Sequence, residues 1–171
     1  MDLKIFFWLN NFAGQNRLFD WLFVFFAHYL AYMLVLVFII FLCLSRRERT
    51  RRIYWCVTAA AAALVARLGL TELIRLVYHR PRPFITYSVH QLIPESGWSF
   101  PSGHASFFFA FSTIVYFYNK PLGYWFLAAS ALMGLARIIA GVHYLSDVLA
   151  GALVGWLVGL VLYKVFRRWY N

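Results

Sequence analysis

The sequence predicts an all-α protein, a polytopic bundle of about five transmembrane helices preceded by one interfacial helix. Hydrophobic residues make up 63% of the chain, against roughly 45 to 50% in soluble domains. They are concentrated in long apolar blocks, whereas a soluble protein scatters them at the period of a helix or a strand. The blocks lack the alternation of a membrane barrel, so helices that satisfy their own backbone hydrogen bonds are expected.

The apolar blocks define the expected helices. The candidate spans are residues 21–44, 53–77, 105–118, 122–140 and 145–166. The third is short, so we expect it to begin near Pro101 and to use the polar Ser-Gly-His stretch as its first turn. Residues 1–16 are too few to span and are amphipathic, which indicates a helix in the membrane interface. With neither repeat nor linker, residues 1–171 are predicted to form a single membrane-embedded domain.

The charge pattern predicts the topology. The net charge of +10 could indicate nucleic-acid binding, but the basic residues lie at the ends of the apolar blocks. Basic clusters at alternate connections mark the cytoplasmic side of a membrane protein. Residues 78–103 and 141–144 and the N-terminal segment then lie on the extracytoplasmic side. The clusters consist of Arg46, Arg47, Arg49, Arg51 and Arg52, then Lys120, then Lys164, Arg167 and Arg168.

Several charged or titratable residues lie within or beside the predicted spans, where a charge costs at least about 2.5 kcal/mol near the bilayer centre. Each is therefore a functional candidate. All but Arg67 fall towards the extracytoplasmic ends, and the basic ones outnumber the acidic ones, which predicts a site for an anion. They are Arg67, Glu72, Arg75, Arg80, Arg82, His104, Arg137, His143 and Asp147.

The Pro101-Ser102-Gly103-His104 sequence stands directly before an apolar helix. Ser102 can cap that helix, and the free backbone N–H groups and the helix dipole attract an anion. The pattern therefore predicts a phosphate-binding turn with a proton donor, His104, attached.

His143 and Asp147 are four residues apart and share one face of a helix. A carboxylate bonded to one ring nitrogen fixes the tautomer and leaves the other nitrogen free to attack. Arg137, six residues before His143, can direct its guanidinium fork at the same phosphate.

These residues resemble the three motifs of the type 2 phosphatidic acid phosphatases, a family that shares its fold with the vanadium haloperoxidases. The family's first motif is a lysine, six residues and Arg-Pro, and here Arg75 and Arg82 fill its charged positions. Residues 101–104 match the second motif, and Arg137, His143 and Asp147 match the third. Arg75 replaces the usual lysine, which keeps the charge but changes its geometry. Ala136 replaces the serine that usually precedes the third-motif arginine.

The resemblance implies hydrolysis of a lipid phosphate through a phosphohistidine. His143 is then the nucleophile, His104 the acid and later the base, and Asp147 the residue that orients His143. No metal or other cofactor is implied, because arginines neutralise the phosphate. The residues expected to hold the phosphate are Arg75, Arg82, Ser102, Gly103 and Arg137.

Within the family, residues 78–84, 90–94 and 99–101 are most similar to bacterial undecaprenyl-diphosphate phosphatases. This implies hydrolysis of undecaprenyl diphosphate, in cell envelope biogenesis, on the outer face of the bacterial cytoplasmic membrane. His79 and Arg80 are placed to bind a second phosphate or to gate the site, although both could be interfacial anchors. Phosphatidylglycerophosphate and the 1-phosphate of lipid A are alternative substrates. Membrane lipids are expected as partners, nucleic acid is not, and the oligomeric state is open.

Other readings of the polar residues remain open. A transporter would explain the depth of Arg67 but not the Pro-Ser-Gly-His turn, and haem ligands would need histidines facing each other near mid-bilayer. Arg67 could snorkel, pair with a polar group or close the site from below, and Glu72 could position Arg75. His28 could be a packed or interfacial histidine. His90 and Glu95 could gate the substrate or be solvated.

Overall fold

The computed structural model describes residues 1–167 and shows helices and loops over that range, without a strand. Arg168, the last residue of the third basic cluster, lies outside the described residues. Helix bounds agree with the predicted blocks to within four residues, and the predicted all-α transmembrane bundle is confirmed. The helices are α1 (Asp2–Asn10), α2 (Arg17–Leu44), α3 (Arg49–Val77), α4 (Pro83–Thr86), α5 (Gly103–Tyr118), α6 (Lys120–Ile139) and α7 (Leu145–Phe166).

Helices α2, α3, α6 and α7 are long and apolar enough to cross a membrane. The third predicted span is the shorter helix α5, whose 16 residues extend for about 24 Å at 1.5 Å per residue. Helix α5 packs against α3, α6 and α7, and most of its side chains are buried. The short helix therefore lies at the centre of the bundle.

Close contact between α5 and α7 depends on three glycines spaced four residues apart, Gly151, Gly155 and Gly159. A Cβ atom on Gly151 would lie 2.5 Å from the carbonyl oxygen of Ser102, and one on Gly159 would lie 2.7 Å from Cβ of Thr113. Small residues at this spacing let two membrane helices approach with backbone in contact. This packing brings the start of α7 next to the Ser102 turn that precedes α5.

The basic clusters meet at one end of the bundle. The Ser45 and Tyr118 hydroxyl groups lie 3.1 Å apart, and the Tyr54 hydroxyl donates to the Phe166 carbonyl at 3.1 Å. These contacts join the α2–α3 connection, the end of α5 and the end of α7. The 78–103 loop and the 140–144 turn therefore lie at the opposite end.

Helix α1 packs onto the end of the bundle that carries these loops, against α6 and α7. Phe6 is fully buried. The Asn10 amide donates to the carbonyls of His90 and Ile139, both at 2.8 Å, and its oxygen accepts from the His90 N–H. The predicted interfacial segment is thus fixed to the bundle by buried polar contacts as well as by its apolar face.

Two spanning helices contain a π-helical turn, Phe25–Tyr29 in α2 and Val65–Leu70 in α3. Such turns are rare and frequently occur at functional sites. The first carries His28 and the second carries Arg67, the two polar residues that lie deepest among the sequence candidates of these helices.

Candidate active site

His143 lies in the tight turn between α6 and α7 and is almost completely buried. Its Nδ1 atom is 3.5 Å from Oδ2 of Asp147, one helical turn along α7, and its Nε2 atom is 3.3 Å from an Arg82 guanidinium nitrogen. Burial lowers the pKa of His143 to about 4, although the contact with Asp147 opposes that shift. The ring is therefore neutral near pH 7, with one nitrogen facing a carboxylate and the other facing a cation.

Asp147 is fixed by three other groups. The Ser99 hydroxyl donates to Oδ2 at 2.5 Å, and the Tyr144 N–H donates to the same oxygen at 2.9 Å. Arg80 donates to Oδ1 at 2.6 Å. Ser99 Oγ also lies 3.4 Å from Nδ1 of His143, which is as close as the carboxylate itself. The serine and the carboxylate together face the Nδ1 side of the imidazole.

A second carboxylate, Asp2 of α1, extends this network. Arg80 donates to Asp2 Oδ2 at 2.8 Å, and its guanidinium lies 3.9 Å from the centre of the Tyr144 ring. Asp2 also accepts from the Ser146 N–H at 3.0 Å and from the Ser146 hydroxyl at 2.5 Å. Arg80 is thus held between two carboxylates and an aromatic ring, and it links α1 to the start of α7.

The arginines of the predicted phosphate site approach His143 through Arg82, which lies on its Nε2 side. Glu95 lies between two of them, with one oxygen on Arg137 and the other 3.2 Å from Arg82. Burial raises the pKa of the Glu95 carboxyl, but the Arg137 and Arg82 charges outweigh it and lower the pKa to about 2. Burial lowers the pKa of Arg82 to about 10, so Arg82 and Glu95 are both charged near pH 7. Arg137 also donates to the Ala27 carbonyl in the π-helical turn of α2.

Arg75 joins the site from the end of α3. It donates to the Pro101 carbonyl at 3.0 Å and pairs with Glu72 at 3.2 Å, the arrangement in which Glu72 was expected to position it. Among the described residues, the buried Nε atoms of Arg75 and Arg137 and the buried Oγ of Ser102 have no hydrogen-bond partner. Buried polar atoms are nearly always paired, so these atoms are available to a bound anion.

The expected side-chain cap of α5 is absent, which corrects one prediction. Ser102 occupies the N-cap position, but its hydroxyl makes no capping hydrogen bond. The Ser102 N–H instead donates to the Asp147 carbonyl at 2.9 Å, and this contact joins the second motif to the third. Gly103, the next residue, is the first residue of α5 and is also buried.

His104, unlike Arg82, lines a cavity beside the site. The cavity has a volume of about 280 Å³ and is also lined by Arg67, Gly103 and residues of α2. His104 is close enough to Glu95, Arg137 and His143 to interact electrostatically with each. His104 is therefore near both the arginine cluster and the cavity.

His79 and Arg80 do not join the arginine cluster. Arg80 is engaged by Asp2 and Asp147, and the His79 ring packs on Trp98 with the ring centroids 4.7 Å apart. Glu95 is bound to two arginines rather than solvated. The sequence predicted neither the contact of Ser99 with Asp147 nor that of Asp2 with Arg80, because each joins segments that are far apart in the chain.

A transmembrane helical bundle that gathers a buried histidine, its carboxylate and several arginines at one end has the arrangement of a membrane-bound phosphatase. Residues 54–171 match the sequence model of the PAP2 superfamily. The chain belongs to that superfamily, and it is a multi-pass membrane lipid phosphatase.

Known relatives agree with this assignment. The undecaprenyl-diphosphatase BcrC of Bacillus subtilis is 33% identical over 167 residues, which cover 96% of this chain and 83% of its own length. A lipid A 1-phosphatase of Rhizobium johnstonii is 35% identical over 109 residues, covering 58% of this chain and 43% of its own length. The crystal structure of Aquifex aeolicus LpxE superimposes with a TM-score of 0.76 at 29% identity, over 95% of this chain and 94% of that one.

Proposed function

We propose that this phosphatase hydrolyses undecaprenyl diphosphate to undecaprenyl phosphate and orthophosphate through a phosphohistidine on His143. The observation that carries the mechanism is the orientation of the His143 ring. Its Nε2 atom faces Arg82 at 3.3 Å, while its Nδ1 atom faces Asp147 and Ser99. A neutral imidazole held in this way presents one lone pair to an anion bound by the arginines.

In the first step, Nε2 of His143 attacks the terminal phosphorus, and the bond from that phosphorus to the bridging oxygen breaks. His104 protonates the bridging oxygen, which leaves with the lipid phosphate. Asp147 stabilises the positive charge that develops on the imidazole. In the second step, His104 accepts a proton from water as that water attacks the phosphohistidine, and orthophosphate and free His143 are formed.

The phosphoryl oxygens are held by Arg75, Arg82 and Arg137, by the Ser102 hydroxyl and by the N–H groups at Gly103. Stabilising the charge on the transferred group is the main task in phosphoryl transfer. Guanidinium groups can supply that charge in the place that magnesium occupies in many other phosphatases. We therefore propose a metal-independent reaction.

The similarity to the Bacillus subtilis undecaprenyl-diphosphatase over almost the whole chain supports the choice of lipid. The shorter match to a lipid A 1-phosphatase supports the 1-phosphate of lipid A as an alternative substrate. Phosphatidylglycerophosphate is a further alternative. We also propose that the chain is a single domain in a bacterial cytoplasmic membrane, with the site on the extracytoplasmic face. The gathering of the basic clusters at the opposite end of the bundle supports this orientation.

Initial rates of phosphate release from undecaprenyl diphosphate, phosphatidylglycerophosphate and lipid A, at equal surface fraction in detergent micelles, test the proposal. We expect the diphosphate to have the highest kcat/KM and EDTA to leave that value unchanged. We expect His143→Ala to reduce release by at least about a thousandfold, because loss of a nucleophile removes the covalent route.

The His143→Ala protein is compared with the wild type by thermal unfolding in the same detergent, so that loss of folding is not mistaken for loss of the nucleophile. Turnover retained by a folded His143→Ala variant would remove the phosphohistidine. A better rate with either other lipid would replace the proposed substrate, and inactivation by EDTA would contradict metal independence.

A further inference from the structure

We infer that the cavity between α2, α3 and α5 binds the second phosphate of a lipid diphosphate, the one that departs with the lipid, and that Arg67 is its principal ligand. This inference rests on the proposed function, because it concerns the leaving group of that reaction. It assigns the second phosphate to residues other than His79 and Arg80, where the sequence alone would place it.

The cavity has a polar end and an apolar end. Its polar lining consists of His28, Arg67 and His104, and its apolar lining of Ala31, Val35, Phe107 and Phe108, with Tyr32 beside His28. Its volume of about 280 Å³ is just below the usual range for small-molecule sites. It can therefore hold the headgroup and the first part of a chain, but not a whole lipid. A polar end followed by an apolar wall suits a phosphate attached to a hydrocarbon.

The Arg67 side chain packs against the Gly103 backbone in the wall of the cavity. A Cβ atom on Gly103 would lie 2.6 Å from Cδ and 2.9 Å from Cζ of Arg67, so only glycine lets the guanidinium lie against the residue next to His104. One guanidinium nitrogen pairs with Glu72, and the side chain is 33% exposed. One part of the guanidinium therefore lies against Gly103 and another pairs with Glu72, while the rest is accessible from the cavity.

The chemistry requires a leaving-group site on the His104 side. When Nε2 of His143 attacks the terminal phosphorus, the attacking and leaving atoms lie roughly in line with it. His104 must reach the bridging oxygen, so the lipid phosphate attached to that oxygen lies next to His104, which lines the cavity. That position is the polar end of the cavity. A guanidinium there would stabilise the charge that the departing phosphate gains.

The residues that the sequence favoured for this role are occupied. Arg80 donates to Asp147 at 2.6 Å and to Asp2 at 2.8 Å, so its cation already balances two carboxylates. His79 packs on Trp98 at the exposed rim. The π-helical turns, in contrast, place both His28 and Arg67 in the wall of the same cavity.

Competitive inhibition separates the two phosphate positions. Methylenediphosphonate, which cannot be hydrolysed, would fill both, whereas orthophosphate would fill only the position next to His143. We expect Arg67→Gln to raise the Ki of methylenediphosphonate by about tenfold to a hundredfold, the usual effect of losing a hydrogen bond between charged groups. The Ki of orthophosphate should change by less than about twofold, within the effect of a lost weak contact.

Glu72→Gln is the matched control, because it breaks the same ion pair but leaves the Arg67 cation in the cavity. We expect it to leave the ratio of the two Ki values unchanged. If Arg67→Gln does not fold, His28→Leu replaces it, with an expected selective increase of about twofold to tenfold. An equal effect of either cavity variant on both inhibitors, or a selective effect of His79→Ala instead, would overturn the inference.

The assay keeps this inference separate from the proposed function. Inhibition can be followed with whichever of the three lipids the wild type hydrolyses fastest. Failure of undecaprenyl diphosphate as a substrate, together with selective loss of methylenediphosphonate binding in Arg67→Gln, would contradict the proposed lipid and support the cavity. A high rate with undecaprenyl diphosphate, together with no selective loss of methylenediphosphonate binding in Arg67→Gln, would support the proposed lipid and contradict the assignment of the cavity.

Discussion

The Glu95 carboxylate makes the kind of contact with Arg82 and Arg137 that a phosphoryl group would make. Arg137 is almost completely buried, so removal of its counter-charge is costly unless another anion replaces it. The pKa of Glu95, lowered to about 2, keeps the carboxylate charged at every physiological pH. A phosphate that takes the place of this carboxylate on both arginines would displace Glu95, so we expect the glutamate to weaken phosphate binding.

Glu95→Gln should strengthen orthophosphate inhibition by about tenfold, because the amide competes less well than a carboxylate for two guanidinium groups. The same change should lower the free energy of unfolding by about 1 to 3 kcal/mol, since two buried arginines lose a counter-charge. Inhibition kinetics and thermal unfolding in detergent measure the two effects. Glu48→Gln, at the exposed opposite end of the bundle, is the control. A Glu95→Gln protein with unchanged Ki would show that Glu95 does not compete with phosphate.

At the residue scale, the sequence predicted the groups that belong to spaced motifs. His143 and Asp147 could be paired because four residues make one helical turn, and the structure places them at 3.5 Å. Ser99 and Glu95 could not be assigned, because they reach the site through the irregular 87–102 loop. The Asp2 contact with Arg80 was also out of reach, since it depends on how α1 folds back on α7.

At the scale of helices, hydropathy located the spans but not their first turns. Helix α2 begins at Arg17, four residues before its apolar block, because the Asn16 side chain caps it by accepting from the Leu18 N–H. Helix α3 begins at Arg49, since arginines are good helix formers although they are polar. The π-helical turns have no sequence signal of this kind. The α7 glycines, in contrast, form a small-residue pattern that the sequence does contain.

That pattern predicts a large effect at Gly155. A Cβ atom there would meet the Ser106 carbonyl oxygen and lie 2.8 Å from the Ala110 nitrogen, both backbone atoms of α5. We expect Gly155→Ala to lower the free energy of unfolding by about 1 to 3 kcal/mol through overpacking. It should also reduce kcat, because it moves α7, which carries Asp147, away from the Ser102 turn.

Gly69→Ala provides the comparison within the same bundle. The nearest atom to a Cβ on Gly69 is 3.9 Å away, so alanine fits without strain. It should raise the free energy of unfolding by about 0.4 to 1 kcal/mol, because alanine lowers the conformational entropy of the unfolded chain. Thermal unfolding of both variants in one detergent tests the pair. Equal effects at the two glycines would mean that helix propensity, rather than contact between α5 and α7, sets their importance.

At the scale of the molecule, the bundle has a basic end and a catalytic end, and the proposed orientation can be tested with single cysteines. In a Cys43→Ser, Cys56→Ser background, Ser88→Cys lies in an exposed loop at the catalytic end and Glu48→Cys at the basic end. We expect a membrane-impermeant maleimide added to intact spheroplasts to label Ser88→Cys only. Both should be labelled after the membrane is opened with detergent. The reverse pattern would place the site on the cytoplasmic face.

The contact between Asp2 and Ser146 has a consequence for biosynthesis. These residues are 144 positions apart, and the Arg80 side chain between them belongs to the loop that follows α3. During translation, α1 and the 78–103 loop are synthesised before α7. The hydrogen bonds that hold Asp147, and with it His143, can form only when that helix has left the translocon and joined the bundle. A chain without α7 therefore has no assembled candidate site, and we expect phosphatase activity only from chains whose insertion is complete.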